Sequence, residues 1–136
     1  MEKNNQLVRM TEHEALYVID IQKGKLDLIK KKIQLDEATK SYIEKASFEY
    51  QTERALEYIG KAELLLALLA YKVSARATDA VYETSMGFDL EELIAEMVKD
   101  DLRVIAPLII SARQIADDAP SMINAYPVRS ENGEVI

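Results

Sequence analysis

The sequence predicts an all-α fold, about five helices in a mostly antiparallel bundle with a disordered or extended C-terminal tail. Three observations predict it. Apolar residues recur in steps of three and four along nearly the whole chain, the period of a helix with one buried face. Only four glycines and three prolines occur in 136 residues, too few for the many turns of an all-β architecture. Side chains that cap helix N-termini stand at the starts of the periodic stretches.

The elements follow in order. Residues 1–10 read as a polar arm. Thr11 and Glu14 form an S/T-x-x-E capping box, so the first helix begins at Thr11. It carries Leu16, Ile19, Leu26 and Ile33 on one face and is expected to end near Lys32 or Ile33. Asp36 reads as the next N-cap, with Glu37 in the first turn. Helical pattern then continues to Met86, before Gly87, a natural C-terminal stop. As one rod those residues would be roughly 75 Å long, so the segment either breaks or belongs to an elongated assembly. Gly60 is the expected break, although the apolar stripe through Ala55, Ile59, Ala62, Leu66, Leu69 and Val73 keeps its phase across it. Residues 64–71 are apolar on all sides, which predicts a central helix or a subunit interface. Asp89 with Glu92 signals a further N-terminus. The helix from Leu90 is expected to kink or break at Pro107, resume over residues 107–116, and end at Asp117-Asp118-Ala119-Pro120. The chain thus divides into an arm (1–10), one helical-bundle domain (11–119) and a tail (120–136).

Composition narrows function by exclusion. The absence of cysteine removes disulfides, thiolate zinc sites, iron–sulfur clusters and a cysteine nucleophile. A single histidine, His13, cannot supply a three-histidine zinc site. It lies between Glu12 and Glu14 and reads as an exposed polar residue. The formal net charge is −7, and its distribution is uneven: +2 over residues 1–35, −3 over 36–86 and −6 over 87–136. An acidic chain without a basic stripe is not expected to bind nucleic acid. Its one basic cluster, Lys23, Lys25, Lys30, Lys31 and Lys32, reads as cations placed in and near a helix C-terminal turn. The longest apolar run, eight residues, is far short of the roughly 20 that span a bilayer, and no secretory signal is visible. The expectation is a cytoplasmic protein that contacts no membrane.

Phosphate-binding, dinucleotide-binding, nucleophile-elbow and metalloprotease motifs are all missing. Two carboxylate trios remain. Glu49, Glu53 and Glu57 fall at i, i+4, i+8, and so do Glu92, Glu96 and Asp100. Like charges at this spacing destabilise a helix by a few tenths of a kcal/mol per pair, so each trio asks for a reason. Opposed inside a bundle, two such faces would make an all-oxygen site for Mg²⁺ or Mn²⁺; otherwise they are solvated surface. Tyr71 and Tyr82 share a helical face, and Arg54, Arg76, Arg103 and Arg113 lie in expected helices, where an Arg/Tyr cleft would hold an anion. Asp20, Asp27 and Asp79 are candidates for buried acids with raised pKa values.

The reading that follows is a non-enzymatic module that assembles with itself or with a protein partner, as a homodimer or higher assembly. The alternative is a Mg²⁺- or Mn²⁺-dependent hydrolase, or a small-ligand-binding bundle, using the six carboxylates. No other cofactor is expected.

Overall fold

A computed structural model describes residues 9–78 and 89–125. Among the described residues the chain forms three long helices and no strand: α1 (Glu12–Ala38), α2 (Tyr42–Thr78) and α3 (Leu90–Ala125). The all-α expectation holds; the number of helices does not.

The local signals explain where each helix starts. Thr11 and Glu14 make the expected capping box: the Thr11 hydroxyl accepts the Glu14 N–H at 3.0 Å, and the Glu14 carboxylate accepts the Thr11 N–H at 2.9 Å. A second box, not foreseen, starts α2. The Ser41 N–H donates to the Glu44 carboxylate at 2.9 Å, and the Glu44 N–H donates to the Ser41 hydroxyl at 3.3 Å. At α3 the Asp89 carboxylate accepts the N–H groups of Glu91 and Glu92 at 3.1 and 3.3 Å.

Four boundary expectations are corrected. Asp36 is not an N-cap: α1 runs past it to Ala38, and its carboxylate takes Lys32 Nζ from one turn back at 2.7 Å. Lys30, Lys31 and Lys32 therefore lie in the body of α1, with no basic residue in its last turn. Gly60 does not break α2. It faces solvent while Ile59 and Ala62 beside it are buried, and that burial outweighs the roughly 1 kcal/mol a helical glycine costs. Pro107 and Pro120 do not break α3. The Pro107 ring lies on the exposed side, so only a solvent-side backbone bond is lost while Ile105 and Ile109 stay in the core. The helix thus continues to Ala125. Gly87, Asp79 and Tyr82, with residues 1–8 and 126–136, lie outside the described residues.

Pairing of the helices follows from named contacts. Lys30 Nζ meets Glu63 Oε2 at 2.8 Å, and Lys72 Nζ meets Asp101 Oδ2 at 2.6 Å. Met10 N–H donates to the Glu91 carbonyl at 3.1 Å, while Lys25, Leu28 and Ile29 share a groove with Ile109, Arg113 and Ala116 further along. So α2 runs antiparallel to both neighbours, and α1 runs parallel to α3. The 37-residue α2 is about 55 Å long, so the bundle is elongated.

The core is a strict heptad in α2. Phe48, Ala55, Ala62 and Leu69 alternate with Thr52, Ile59, Leu66 and Val73, all buried. Ala15, Ile19, Leu26, Ile29 and Ile33 from α1 pack there, with Ile94, Val98, Ile105, Ile109, Ala112, Ala116 and Ala119 from α3. Thr52 is the one buried polar residue among those described. Its hydroxyl donates to the Phe48 carbonyl at 2.9 Å and so is satisfied within its own helix.

Residues 64–71 do not form a helix buried on all sides. Leu66 and Leu69 are fully buried, but Leu64, Leu68 and Tyr71 face outward. A helix on the edge of a three-helix bundle has only two neighbours to cover it.

Candidate functional site

The most unusual surface is the outer face of α1. Tyr17, Ile21, Leu28 and Leu35 are 64, 42, 69 and 64 % exposed. Each stands two residues after a core residue: Ala15, Ile19, Leu26 and Ile33. Two residues turn about 200° around a helix axis, so these side chains lie on the outer side of α1, with Leu28 at the edge of the groove shared with α3. Ile21, Leu28 and Leu35 are spaced by sevens. Tyr17, Gly24 and Lys31 interleave with them, also by sevens. α1 thus carries two apolar seams on opposite sides, and only one is used within the protomer.

Gly24 lies in this outer seam. A Cβ added there would meet nothing within 4 Å, so among the described residues nothing demands glycine at that position. The seam is flanked by charges of opposite sign. Asp20 and Asp27 run along one edge, Lys25 and Lys32 along the other, all exposed or half-buried. Asp20 and Asp27 are therefore not buried acids, contrary to one reading of the sequence.

A second apolar patch lies where α2 meets α3. Leu64, Leu68 and Tyr71 are exposed on α2, and Val104 is exposed on α3. Partly buried Leu65, Leu102 and Leu108 pack against the core nearby. Residues 64–71 carry no charge. Lys72, next along α2, is already engaged by Asp101.

The two carboxylate trios are not brought together. Glu49, Glu53 and Glu57 are exposed, and line an open groove with Glu37, Ile33, Ala46 and Leu56. Glu53 and Glu57 also face Ile115, Asp118 and Met122, near the C-terminal end of α3. Glu92, Glu96 and Asp100 occupy the N-terminal end of α3, roughly 30 Å away along the bundle at 1.5 Å per residue. The physical reason is the antiparallel pairing of α2 and α3, which sends the two trios to opposite ends. Glu92 pairs with Arg9 at 3.5 Å and Asp100 with Arg103 at 3.9 Å. Among the described residues no group of three or more acidic or histidine side chains is placed to hold a metal ion.

Among the described residues no anion cleft is lined by the tyrosines and arginines; Tyr82 lies outside them. Tyr17, Tyr42, Tyr50 and Tyr71 point to solvent. Tyr50 and Arg54 share a groove, but Glu53, Glu57 and Asp118 line it too, and their charge repels an anion. His13 is exposed beside Arg9, Met10 and Tyr17 in an open hollow.

Electrostatic organisation concentrates where residues 9–10 meet the start of α3. Arg9 donates to the Asp89 carboxylate, and lies 3.6 Å from Glu91 Oε1 and 3.5 Å from Glu92 Oε2. Partial burial pushes the Asp89 pKa upward, but the Arg9 hydrogen bond and charge, with the two backbone N–H groups it caps, hold it below its ordinary value. Arg9 is raised in turn, first by its hydrogen bond to Asp89. Elsewhere Lys30 is raised by its bond to Glu63, and Glu44 is lowered by the Ser41 N–H and hydroxyl.

The outer α1 seam escaped the sequence reading, although its signal was present. Once the inner stripe is assigned, Tyr17, Ile21, Leu28 and Leu35 remain as unused apolar residues at steps of four, seven and seven. No described helix is long and apolar enough to cross a membrane. Compared with protein-family models, curated proteins and solved structures, the chain matches none.

Proposed function

We propose that this chain is a helical assembly module whose work is to bring copies of itself together, rather than to catalyse a reaction. The observation that carries this reading is the outer seam of α1: three aliphatic side chains at heptad spacing, on the opposite side of α1 from the seam that builds the core. Heptad-spaced apolar residues on a straight helix match the surface of another helix, and leaving them in water forgoes roughly 1.5–3 kcal/mol for each large side chain covered. The carboxylate trios support no comparable reading, because they sit at opposite ends of the bundle.

The test is the oligomeric state in solution. Light scattering coupled to gel filtration across micromolar concentrations should report an assembly for the native chain. Leu28→Lys should give a monomer with unchanged helix content and melting behaviour at high dilution, because Leu28 lies outside the core. A native chain that stays monomeric at these concentrations would refute the reading.

A further inference from the structure

We infer that two copies of this chain pair through α1 as a parallel, in-register coiled coil about a two-fold axis, and that charges flanking the outer seam set this orientation. The inference rests on the assembly reading above and specifies its geometry.

Treat the outer seam as a coiled-coil core. Ile21, Leu28 and Leu35 take the a positions, and Tyr17, Gly24 and Lys31 take the d positions. The residue before each a position is then a g position: Asp20, Asp27 and Gln34. The residue after each d position is an e position: Val18, Lys25 and Lys32. In a parallel two-stranded coiled coil, a g residue faces the e residue five positions later on the other strand. Asp20 then faces the partner's Lys25, and Asp27 faces the partner's Lys32. The two-fold axis repeats both pairs, so all four contacts are attractive.

The antiparallel arrangement gives the reverse. There g faces g and e faces e, which sets the aspartate edge of one copy against the aspartate edge of the other, and the lysine edge against the lysine edge. Like charges at such positions disfavour a pairing. The charges that flank the seam therefore favour the parallel orientation, against the like-charge contact that Lys31 makes with its own copy in that orientation.

Three further features fit. Asp20, Asp27 and Lys25 make no salt bridge within the protomer among the described residues, although Asp27 acts electrostatically on Lys30 and Lys25 lines the groove that also holds Asp117. Lys32 is shared with Asp36 and can bridge both carboxylates. Gly24 at a d position meets its own copy across the axis and lets the two backbones approach closely, a role that no described residue of the protomer gives it. Lys31 is the charged residue within the seam. In the parallel pair it stands across the axis from its own copy, so the pairing requires both ammonium groups to reach solvent, and a lone polar core position holds strands in register at some loss of stability.

The α2–α3 patch is the competing surface. It offers apolar area, but residues 64–71 carry no charge and Lys72 is paired internally, so no charge pattern within it selects an orientation. The seam of α1 has both the apolar stripe and the complementary charge.

The experiment uses the full chain, which has no cysteine of its own. Leu35→Cys places one thiol at one end of the seam. In the parallel pair the two thiols meet across the axis and mild oxidation should give near-complete covalent dimer. In an antiparallel pair position 35 lies opposite the partner's Tyr17, so the two thiols are about 27 Å apart along the helix, beyond the roughly 7 Å Cα separation a disulfide tolerates. Dimer formed natively but not trapped by Leu35→Cys, and trapped instead by mixing Leu35→Cys with Tyr17→Cys, overturns the parallel geometry while the assembly reading stands. A native chain monomeric at micromolar concentration overturns both. Dimer lost in Leu68→Lys but kept in Leu28→Lys moves the interface to α2 and overturns the inference.

Charge variants give an independent readout. Asp20→Lys should weaken self-association about tenfold, because two attractive contacts become repulsive. Lys25→Asp should do the same, and an equimolar mixture of the two should recover native affinity. Self-association unchanged by Asp20→Lys in low salt would refute the charge-set orientation.

Discussion

The Arg9 guanidinium caps the cap of another helix: it donates to Asp89, eighty residues away, while that carboxylate accepts the first free N–H groups of α3. One carboxylate thus serves the α3 N-terminus and anchors the segment ahead of α1. This contact makes α1 run parallel to α3 from a common end. Glu91 and Glu92 add further negative charge around Arg9.

Acid should loosen this junction. Asp89 has a pKa below its ordinary value in the folded chain, through Arg9 and the two backbone donors acting against partial burial. Stability from a depressed carboxylate is present at neutral pH and is lost as pH falls through the folded-state pKa. Glu44 is depressed by its capping bonds and adds loss in the same acid range. The melting temperature should therefore fall steadily below about pH 4. Asp89→Asn keeps a good N-cap but removes the charge, so the variant should show a shallower acid slope than the native chain. Equal slopes from thermal melts between neutral and acid pH would show that the Arg9 contact contributes nothing.

Neighbouring leucines in α2 should differ sharply. Leu66 is fully buried among all three helices, and Leu64, two residues earlier, is 62 % exposed. Leu66→Ala should destabilise by about 2–5 kcal/mol, the range for a cavity left in a packed core. Leu64→Ala should change stability by no more than about 0.5 kcal/mol, as for a surface site. Urea unfolding of the two variants measures both. Comparable losses would mean that residues 64–71 are buried on all sides after all.

The same leucines show how much was legible in advance. Periodicity revealed the inner stripe of α2 through Ala55, Ile59, Ala62 and Leu66, because one face of that helix is consistently apolar. Capping chemistry placed the starts of α1 and α3 at Thr11 and near Asp89, since a side chain that satisfies its own backbone needs no tertiary context. Helix interruption was not legible. Gly60 and Pro107 are local disfavours of roughly 1–3 kcal/mol, and burial on either side overrides them; α3 also runs through Pro120. Which acidic face meets which was not legible either. The distance between Glu53 and Glu96 depends on the antiparallel pairing of α2 with α3, and spacing within one helix carries no information about it. The outer α1 seam was visible as residues but not as a surface, because only the packed bundle shows which of two apolar stripes is left uncovered.

Replacing the glycine of α2 should stabilise the protein. A Cβ at position 60 meets nothing within 4 Å, so Gly60→Ala introduces no clash. Alanine loses less backbone freedom on folding, so the gain should be about 0.5–1 kcal/mol, read as a higher denaturant midpoint at constant slope. A loss of stability would mean that position 60 is covered in solution, by a partner copy or by a part of the chain outside the described residues.

Divalent cations should leave the fold unmoved. A metal bound at 100 times its dissociation constant would add roughly 2.7 kcal/mol and raise the melting temperature by several degrees. That requires oxygen ligands converging on one point, commonly six or more for such hard cations. Glu49, Glu53 and Glu57 instead spread along an open groove in α2, with no facing carboxylates but Glu37 and Asp118 at its edges. Glu92 and Asp100, at the far end, already have arginine partners. Millimolar Mg²⁺ or Mn²⁺ should therefore shift the melting temperature no more than the same ionic strength of sodium chloride, which screens the acidic surface equally. Glu53→Gln should melt at the native temperature or slightly above, because it relieves like-charge repulsion one turn away on either side. A cation-specific rise that disappears in Glu53→Gln would restore a metal role for the α2 trio, with no contribution from the trio on α3.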